Sequence, residues 1–189
     1  MKSVSALRPN EIARSIHEID YERLWRAGYR GLIFDIDNTL GEWGCGALSE
    51  PTEILLRELA ARGFSLGFLS NDGGQDRPHL KEQLRAWPVL WRAAKPRTRH
   101  YKNMLGLLKI TETGAVMIGD QLFTDIWGAK RAGLYAILVA PVSPQTDSIW
   151  AKLRRPLERA VLRLLTGKDA RYDDPDEHEN EDRERAPPH

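Results

Sequence analysis

The chain has 189 residues, 41% of them hydrophobic, with 28 Lys+Arg against 27 Asp+Glu. That length holds one domain with little room for a second, and a lone Cys45 excludes an intramolecular disulfide or a multi-cysteine zinc site, so a reducing cytoplasm is the expected setting. The charged start MKSVSALRPNEIARSIHEID lacks the apolar core of a secretory signal, and the longest apolar-rich run, 134–142, falls far short of the roughly 20 residues that cross a bilayer, so a soluble protein, at most peripheral to a membrane, is expected.

Residues 9–28 read as two short helices, the second capped by Asp20 and stopped at Gly28. Apolar strands follow at 31–36, 64–70, 89–94, 114–119 and 135–140. Helical periods separate them: one opened by Ser49 and closed at Gly63, then 76–86, 98–110 and 124–132, the last stopped at Gly133. Such alternation predicts an α/β protein, a three-layer Rossmann-like fold with a five-stranded, mostly parallel sheet flanked by helices.

The near-zero charge is an average of two unlike segments. Residues 169–189 hold nine acidic side chains and three arginines, a net of −6, so residues 1–168 carry 25 basic and 18 acidic groups, a net of +7. The acidic segment has three prolines and almost nothing apolar, which predicts a disordered tail behind a folded domain of 1–168. Residues 149–168 set Ile149, Leu153, Leu157, Val161, Leu164 and Leu165 at helical spacing amid six basic groups and one acid, Glu158. This stripe is expected to cover the sheet; the competing reading lays it on anionic lipid with Trp150 at the boundary.

Chemistry concentrates at the strand ends. The first strand closes on Asp35-Ile36-Asp37-Asn38-Thr39, and carboxylates two residues apart on a strand project to one side, which is unfavourable unless a cation or proton transfer requires it. A calcium loop fails on spacing, since Leu40 and Gly46 stand where Gly and a bidentate Glu are needed. Ser70-Asn71-Asp72 ends the second strand, Lys95-Pro96 follows the third, and Gly119-Asp120-Gln121-Leu122-Phe123-Thr124-Asp125 follows the fourth. The carboxyl ends of parallel strands share one crevice, so these residues converge on the needs of phosphoryl transfer: a nucleophilic carboxylate, a proton carrier, a hydroxyl and a lysine for phosphate, and acids for a hard cation.

This four-part pattern resembles the haloacid dehalogenase superfamily over about 9–165, and its flanks, including Arg8-Pro9-Asn10 and Ile16-His17-Glu18-Ile19-Asp20, are similar to its subclass IIIA phosphatases of YqeG type, themselves similar to phosphatidylglycerophosphate phosphatase. The resemblance implies a Mg²⁺-dependent phosphomonoesterase working through an aspartyl-phosphate. Asp35 is then the nucleophile and Asp37 the acid–base. Lys95 neutralises charge, Ser70 and the Asn71 amide bind phosphate with Lys95, and Thr39 orients Asp37 and its turn. Asp35, Asp37 (through its carbonyl), Asp120 and Asp125 hold the metal. For Asn38 and Gln121 a structural and a substrate-facing role stay equally open.

Only 30 residues separate Thr39 from Ser70 and 24 separate Ser70 from Lys95, each interval filled by one helix and one strand. No room remains for the cap domain by which superfamily members enclose small metabolites. The expected crevice is therefore open, suited to a phosphate on something large or membrane-presented, with peripheral contact to anionic lipid and no stable nucleic-acid complex. Phosphatidylglycerophosphate is the leading substrate; a polynucleotide or protein phosphatase, or a scaffold without turnover, stays as the alternative, and the oligomeric state is open. Trp43, four residues beyond the first motif, is a candidate for the mouth of the crevice.

Overall fold

The apolar runs pair as parallel strands in one sheet of spatial order β1-β6-β5-β2-β3-β4, with β1 Glu11–Ala13, β2 Gly31–Asp35, β3 Ser65–Leu69, β4 Val89–Leu90, β5 Ala115–Gly119 and β6 Tyr135–Val139. The computed structural model describes residues 6–143, 145 and 149–166, the last segment with side chains from Pro156 to Leu165. The predicted tail at 169–189 and the boundary role of Trp150 fall outside the described residues.

Both faces of the sheet are covered. Strand side chains alternate, so Leu32, Phe34 and Ile36 point into one core while Ile33 points into the other. The first core takes Leu24 from α1 (Tyr21–Arg26), Leu56 and Leu59 from α2 (Glu50–Ala61), and Leu80 and Leu84 from α3 (Pro78–Leu84). Across its centre Phe34 stacks on Phe68 with ring centroids 6.0 Å apart, the pair being in register on neighbouring strands. The second core takes Tyr101, Met104 and Leu105 from α4 (Thr98–Leu108), Ala129 from α5 (Trp127–Arg131) and Leu162 from α6 (Ile149–Thr166). These are the three predicted layers.

The helix ends follow the capping residues. Asp20 Oδ1 accepts from the Arg23 amide at 2.8 Å, and Ser49 Oγ from the Thr52 amide at 3.4 Å. Gly28 and Gly63 take φ of +93° and +105° just past α1 and α2, where a Cβ would be strained.

Five details differ from the expectation. The sheet has six strands, because Glu11–Ala13 is a strand rather than the start of a helix: it pairs with Ile137–Val139, and Asn10 exchanges hydrogen bonds with Ala136. A three-residue segment beginning with a charge has no apolar run of its own, and only the free edge of β6 makes it a strand. A single turn, Ile16–Glu18, is all that remains of the first predicted helix. Strand β4 stops at Leu90 instead of residue 94, since Arg92 and Ala94 adopt φ of +51° and +46° and turn the chain into the crevice.

The helix expected at 124–132 starts earlier and wider. Gln121 O accepts from both the Asp125 and Ile126 amides, an expanded turn over Leu122–Ile126 that runs into α5. Finally, α6 does not bury its whole apolar stripe. Leu162 is buried and Val161 packs partly against the core, but Leu157 and Leu164 are 58% and 86% exposed. Its inward edge instead carries Glu158, whose Oε1 accepts the Phe123 amide at 3.1 Å. That bond docks the helix on the wide turn, which a count of apolar spacings could not anticipate.

Candidate active site

The sheet order places β5, β2, β3 and β4 side by side, so the residues that follow them meet at one carboxyl edge. Asp35 is the last residue of β2 and is buried. The Lys95 ammonium makes an ion pair with Asp35 Oδ1, lies 2.7 Å from Asp125 Oδ1 and donates to the Leu69 carbonyl at 3.2 Å. Thr39 Oγ1 donates to Asp35 Oδ2 at 3.3 Å, so the hydroxyl expected to orient Asp37 is bonded to Asp35 instead, while Asp37 is held by Ser70, Gly44 and Arg77. One oxygen each from Asp35, Asp120 and Asp125 lies within 4.8 Å of the others, and all three residues are buried.

Three carboxylates face one ammonium, and the imbalance shows in the acidity of Asp35. Burial lifts the Asp35 pKa well above its ordinary range; Lys95 opposes the shift, and Asp125 and Asp120 add to it. Burial works against the Lys95 ammonium, but Asp125 and Asp35 outweigh it and hold the lysine above its ordinary value. Burial likewise raises the Tyr101 phenol well above its usual value, with Asp125 adding to the effect, so Tyr101 stays a donor and bonds the Thr124 carbonyl at 2.8 Å. Excess negative charge on an all-oxygen donor set, buried with one cation beside it, is what a hard divalent cation would relieve.

The third carboxylate of the group is the one on the wide turn, and its position is tightly fixed. Asp125 is fully buried, its Oδ2 accepts the Gln121 amide at 3.0 Å, and its side chain lies against Gly119 so closely that a Cβ there would stand 2.5 Å from Oδ2. Glycine at 119 is thus required by the approach of a carboxylate. Asn71 ties the second and third motifs: its Oδ1 accepts the Lys95 amide at 2.7 Å and its Nδ2 donates to the Lys95 carbonyl at 3.3 Å.

Asp37 stands apart from the three-carboxylate group. Its Oδ2 accepts from Ser70 Oγ at 3.0 Å and its Oδ1 from the Gly44 amide at 3.1 Å, and Arg77 Nη1 is 2.7 Å from Oδ1. Ser70 therefore reaches the site through Asp37, and its Oγ in turn accepts the Asp72 amide at 3.0 Å. Asn38, at φ +60°, takes the Val142 amide on its carbonyl and the Ser143 amide on Oδ1, which fastens the first-motif loop to the segment after β6. Gln121 Oε1 accepts from Thr124 Oγ1 at 3.1 Å. Trp43 is 45% exposed on the loop whose Gly44 reaches Asp37.

Arg77 and Glu158 escaped the sequence reading. Arg77 was one arginine among many before a helix, and Glu158 one acid in a basic block; neither spacing nor composition distinguishes them. Between the first and second motifs lie only a loop, α2 and β3, and between the second and third only α3 and β4, so among the described residues no inserted domain roofs the crevice. Beside it opens a cleft of about 400 Å³ lined by Gly44, Asn71, Asp72, Gly73, Gln75, Asp76, Arg77 and Arg92, with no apolar side chain.

Known proteins agree with this geometry. The HAD-hydrolase-like family model matches residues 92–148. The probable phosphatase YqeG of Bacillus subtilis is 30% identical over 160 residues, covering 85% of this chain and 92% of that protein. The chloroplastic/mitochondrial phosphatidylglycerophosphate phosphatase 1 of Arabidopsis thaliana is 27% identical over 163 residues, covering 82% of this chain and 47% of that longer protein. Among solved structures, NagD from Escherichia coli K-12 superposes with a TM-score of 0.50 at 14% identity, over 61% of this chain and 89% of NagD, a likeness of fold. With sequence similarity running nearly the full length of a YqeG phosphatase, and with the motif residues gathered at one sheet edge, this chain belongs to the haloacid dehalogenase-like phosphatase family.

Proposed function

We propose that the protein is a Mg²⁺-dependent phosphomonoesterase that forms an aspartyl-phosphate on Asp35. The observation that carries this reading is the buried set of Asp35, Asp120 and Asp125 around the Lys95 ammonium. Asp35, Asp120 and Asp125 would hold the ion, joined by the carbonyl of Asp37, and the bound ion supplies charge neutralisation of the phosphoryl oxygens. Asp35 attacks phosphorus, and the bond to the leaving oxygen breaks. Lys95 offsets the charge between carboxylate and phosphate, which otherwise repel. Asp37 gives its proton to the leaving oxygen and takes one from the water that then cleaves the acyl phosphate. Ser70 and the Asn71 amide receive phosphate oxygens, and Thr39 orients Asp35.

The substrate we assign is phosphatidylglycerophosphate. The activity in the Arabidopsis relative's name supports it, as does a polar, unroofed cleft that takes a head group rather than an acyl chain. Peripheral contact with anionic lipid, and with it a cytoplasmic protein at a membrane surface, is supported by the outward row Leu157 and Leu164 beside exposed Arg159 and Arg163 on α6. No helix among the described residues is long and apolar enough to cross a membrane.

The test is hydrolysis of phosphatidylglycerophosphate in mixed micelles against phosphorylated nucleic-acid ends and phosphopeptides, with Mg²⁺ and with EDTA. Expected are turnover of the lipid, loss in EDTA, and loss in Asp35→Asn. Turnover by Asp35→Asn would refute the mechanism, and turnover of the other substrates alone would refute the lipid assignment.

A further inference from the structure

Arg77 is buried at 6% exposure, and a buried guanidinium is tolerated only when paired. Its partners are both carboxylates that frame Ser70. Nη1 is 2.7 Å from Asp37 Oδ1 and Nη2 is 3.7 Å from Asp72 Oδ2. The rest of the surroundings points the same way. Asp37 Oδ1 also receives the Gly44 amide, Oδ2 receives Ser70 Oγ, and Ser70 Oγ is held by the Asp72 amide, while Asp72 Oδ1 takes the Gly74 amide at 2.5 Å. These contacts form a closed ring from Arg77 through Asp37, Ser70 and Asp72 back to Arg77. The backbone fixes the arginine within that ring, since its carbonyl accepts the Lys81 amide at the start of α3 and Pro78 follows it.

We infer that Arg77 is the positioning residue for Asp37: its buried guanidinium, 2.7 Å from Oδ1, holds by its charge the carboxylate that moves the proton to the leaving group, and anchors the wall of the adjoining cleft. The inference rests on the reading of Asp37 as the acid–base. A lysine replaces it only in part, because a single ammonium nitrogen cannot lie near Asp37 and Asp72 at once as the two guanidinium nitrogens do. Proton delivery matters most when the leaving alkoxide is a strong base, so the loss of Arg77 should depend on the leaving group.

The experiment compares kcat/KM for β-glycerophosphate, an alkyl ester, with that for p-nitrophenyl phosphate, an activated aryl ester, both with Mg²⁺. For Arg77→Gln the alkyl ester is expected to lose on the order of 100-fold and the aryl ester only about threefold, with Arg77→Lys between wild type and Gln. In an Asp37→Asn background, Arg77→Gln should cost the alkyl ester nothing further. Equal losses on the two esters, or losses that multiply in the double variant, would overturn the inference. A second readout needs no turnover: the urea midpoint should fall in Arg77→Gln and fall less when Asp37→Asn is already present. Equal falls in both backgrounds would also overturn it. Failure of the phosphatase reading itself is seen separately, as turnover that survives Asp35→Asn.

Discussion

The contact between Gly119 and Asp125 makes a sharp prediction for Gly119→Ala. The new methyl would lie 2.5 Å from Asp125 Oδ2 and 2.6 Å from its Cβ and Cγ. Ordinary carbon contacts are about 3.5–4.0 Å, so Asp125 must move by about 1 Å. A fully buried side chain has no open space to enter, and the 3.0 Å bond from the Gln121 amide would stretch beyond hydrogen-bonding range. Overpacking costs roughly 1–3 kcal/mol and the lost charge-assisted bond roughly 1.5–3 kcal/mol, a total of about 2.5–6 kcal/mol. At roughly 2–4 °C per kcal/mol for a domain of this size, the melting temperature should fall by about 5–24 °C. Scanning calorimetry with and without Mg²⁺ measures it, and the stabilisation that Mg²⁺ gives should shrink together with phosphatase activity. A melting temperature within about 2 °C of wild type, with Mg²⁺ stabilisation intact, would refute the reasoning.

Two further outcomes follow from burial. Leu162→Ala, at a site 2% exposed on α6, should cost roughly 2–5 kcal/mol, while Leu164→Ala, 86% exposed on the same helix, should stay within about 0.5 kcal/mol; urea denaturation of the two variants checks the contrast. Asp35 has a pKa raised by burial above its ordinary 3.8, so the native state binds that proton more tightly than the unfolded chain. Its contribution to stability is complete below pH 3.8 and is lost as the pH rises through the native value. In EDTA, therefore, Asp35→Asn should gain stability relative to wild type as the pH is raised from about 4 to 8, and Mg²⁺ should reduce that gain; a pH-independent difference would contradict the assignment.

The pattern of apolar runs and helical periods was enough for the three layers, because alternation at period two and period 3.6 reports burial directly. Asp35, Lys95, Asp120 and Asp125 were legible for a related reason. Each ends or follows a strand, and parallel strands bring their carboxyl ends to one edge whatever lies between. Asp20 and Ser49 were legible as caps because capping depends on the three residues that follow. The segment Glu11–Ala13 was not, since its strand character belongs to the edge of β6 rather than to its own side chains.

The local code also could not decide the use of a long polar side chain. Arg77 and Glu158 look like surface residues in sequence and are buried in the fold, one against Asp37 and the other on the Phe123 amide. Leu157 and Leu164 share a stripe with Val161, yet they face outward because the wide turn at Leu122–Ile126 receives Glu158 and rotates the buried edge of α6 toward Leu162. From α1 onward the sequence by itself determined the order of strands and helices along the chain and the acids at the strand ends, since both depend on short-range periodicity. The tertiary structure alone decided which charges are buried and which apolar groups remain in water, because Lys95 with Asp35, Arg77 with Asp37 and Glu158 with the Phe123 amide are 60, 40 and 35 positions apart in the chain, and only packing brings them together.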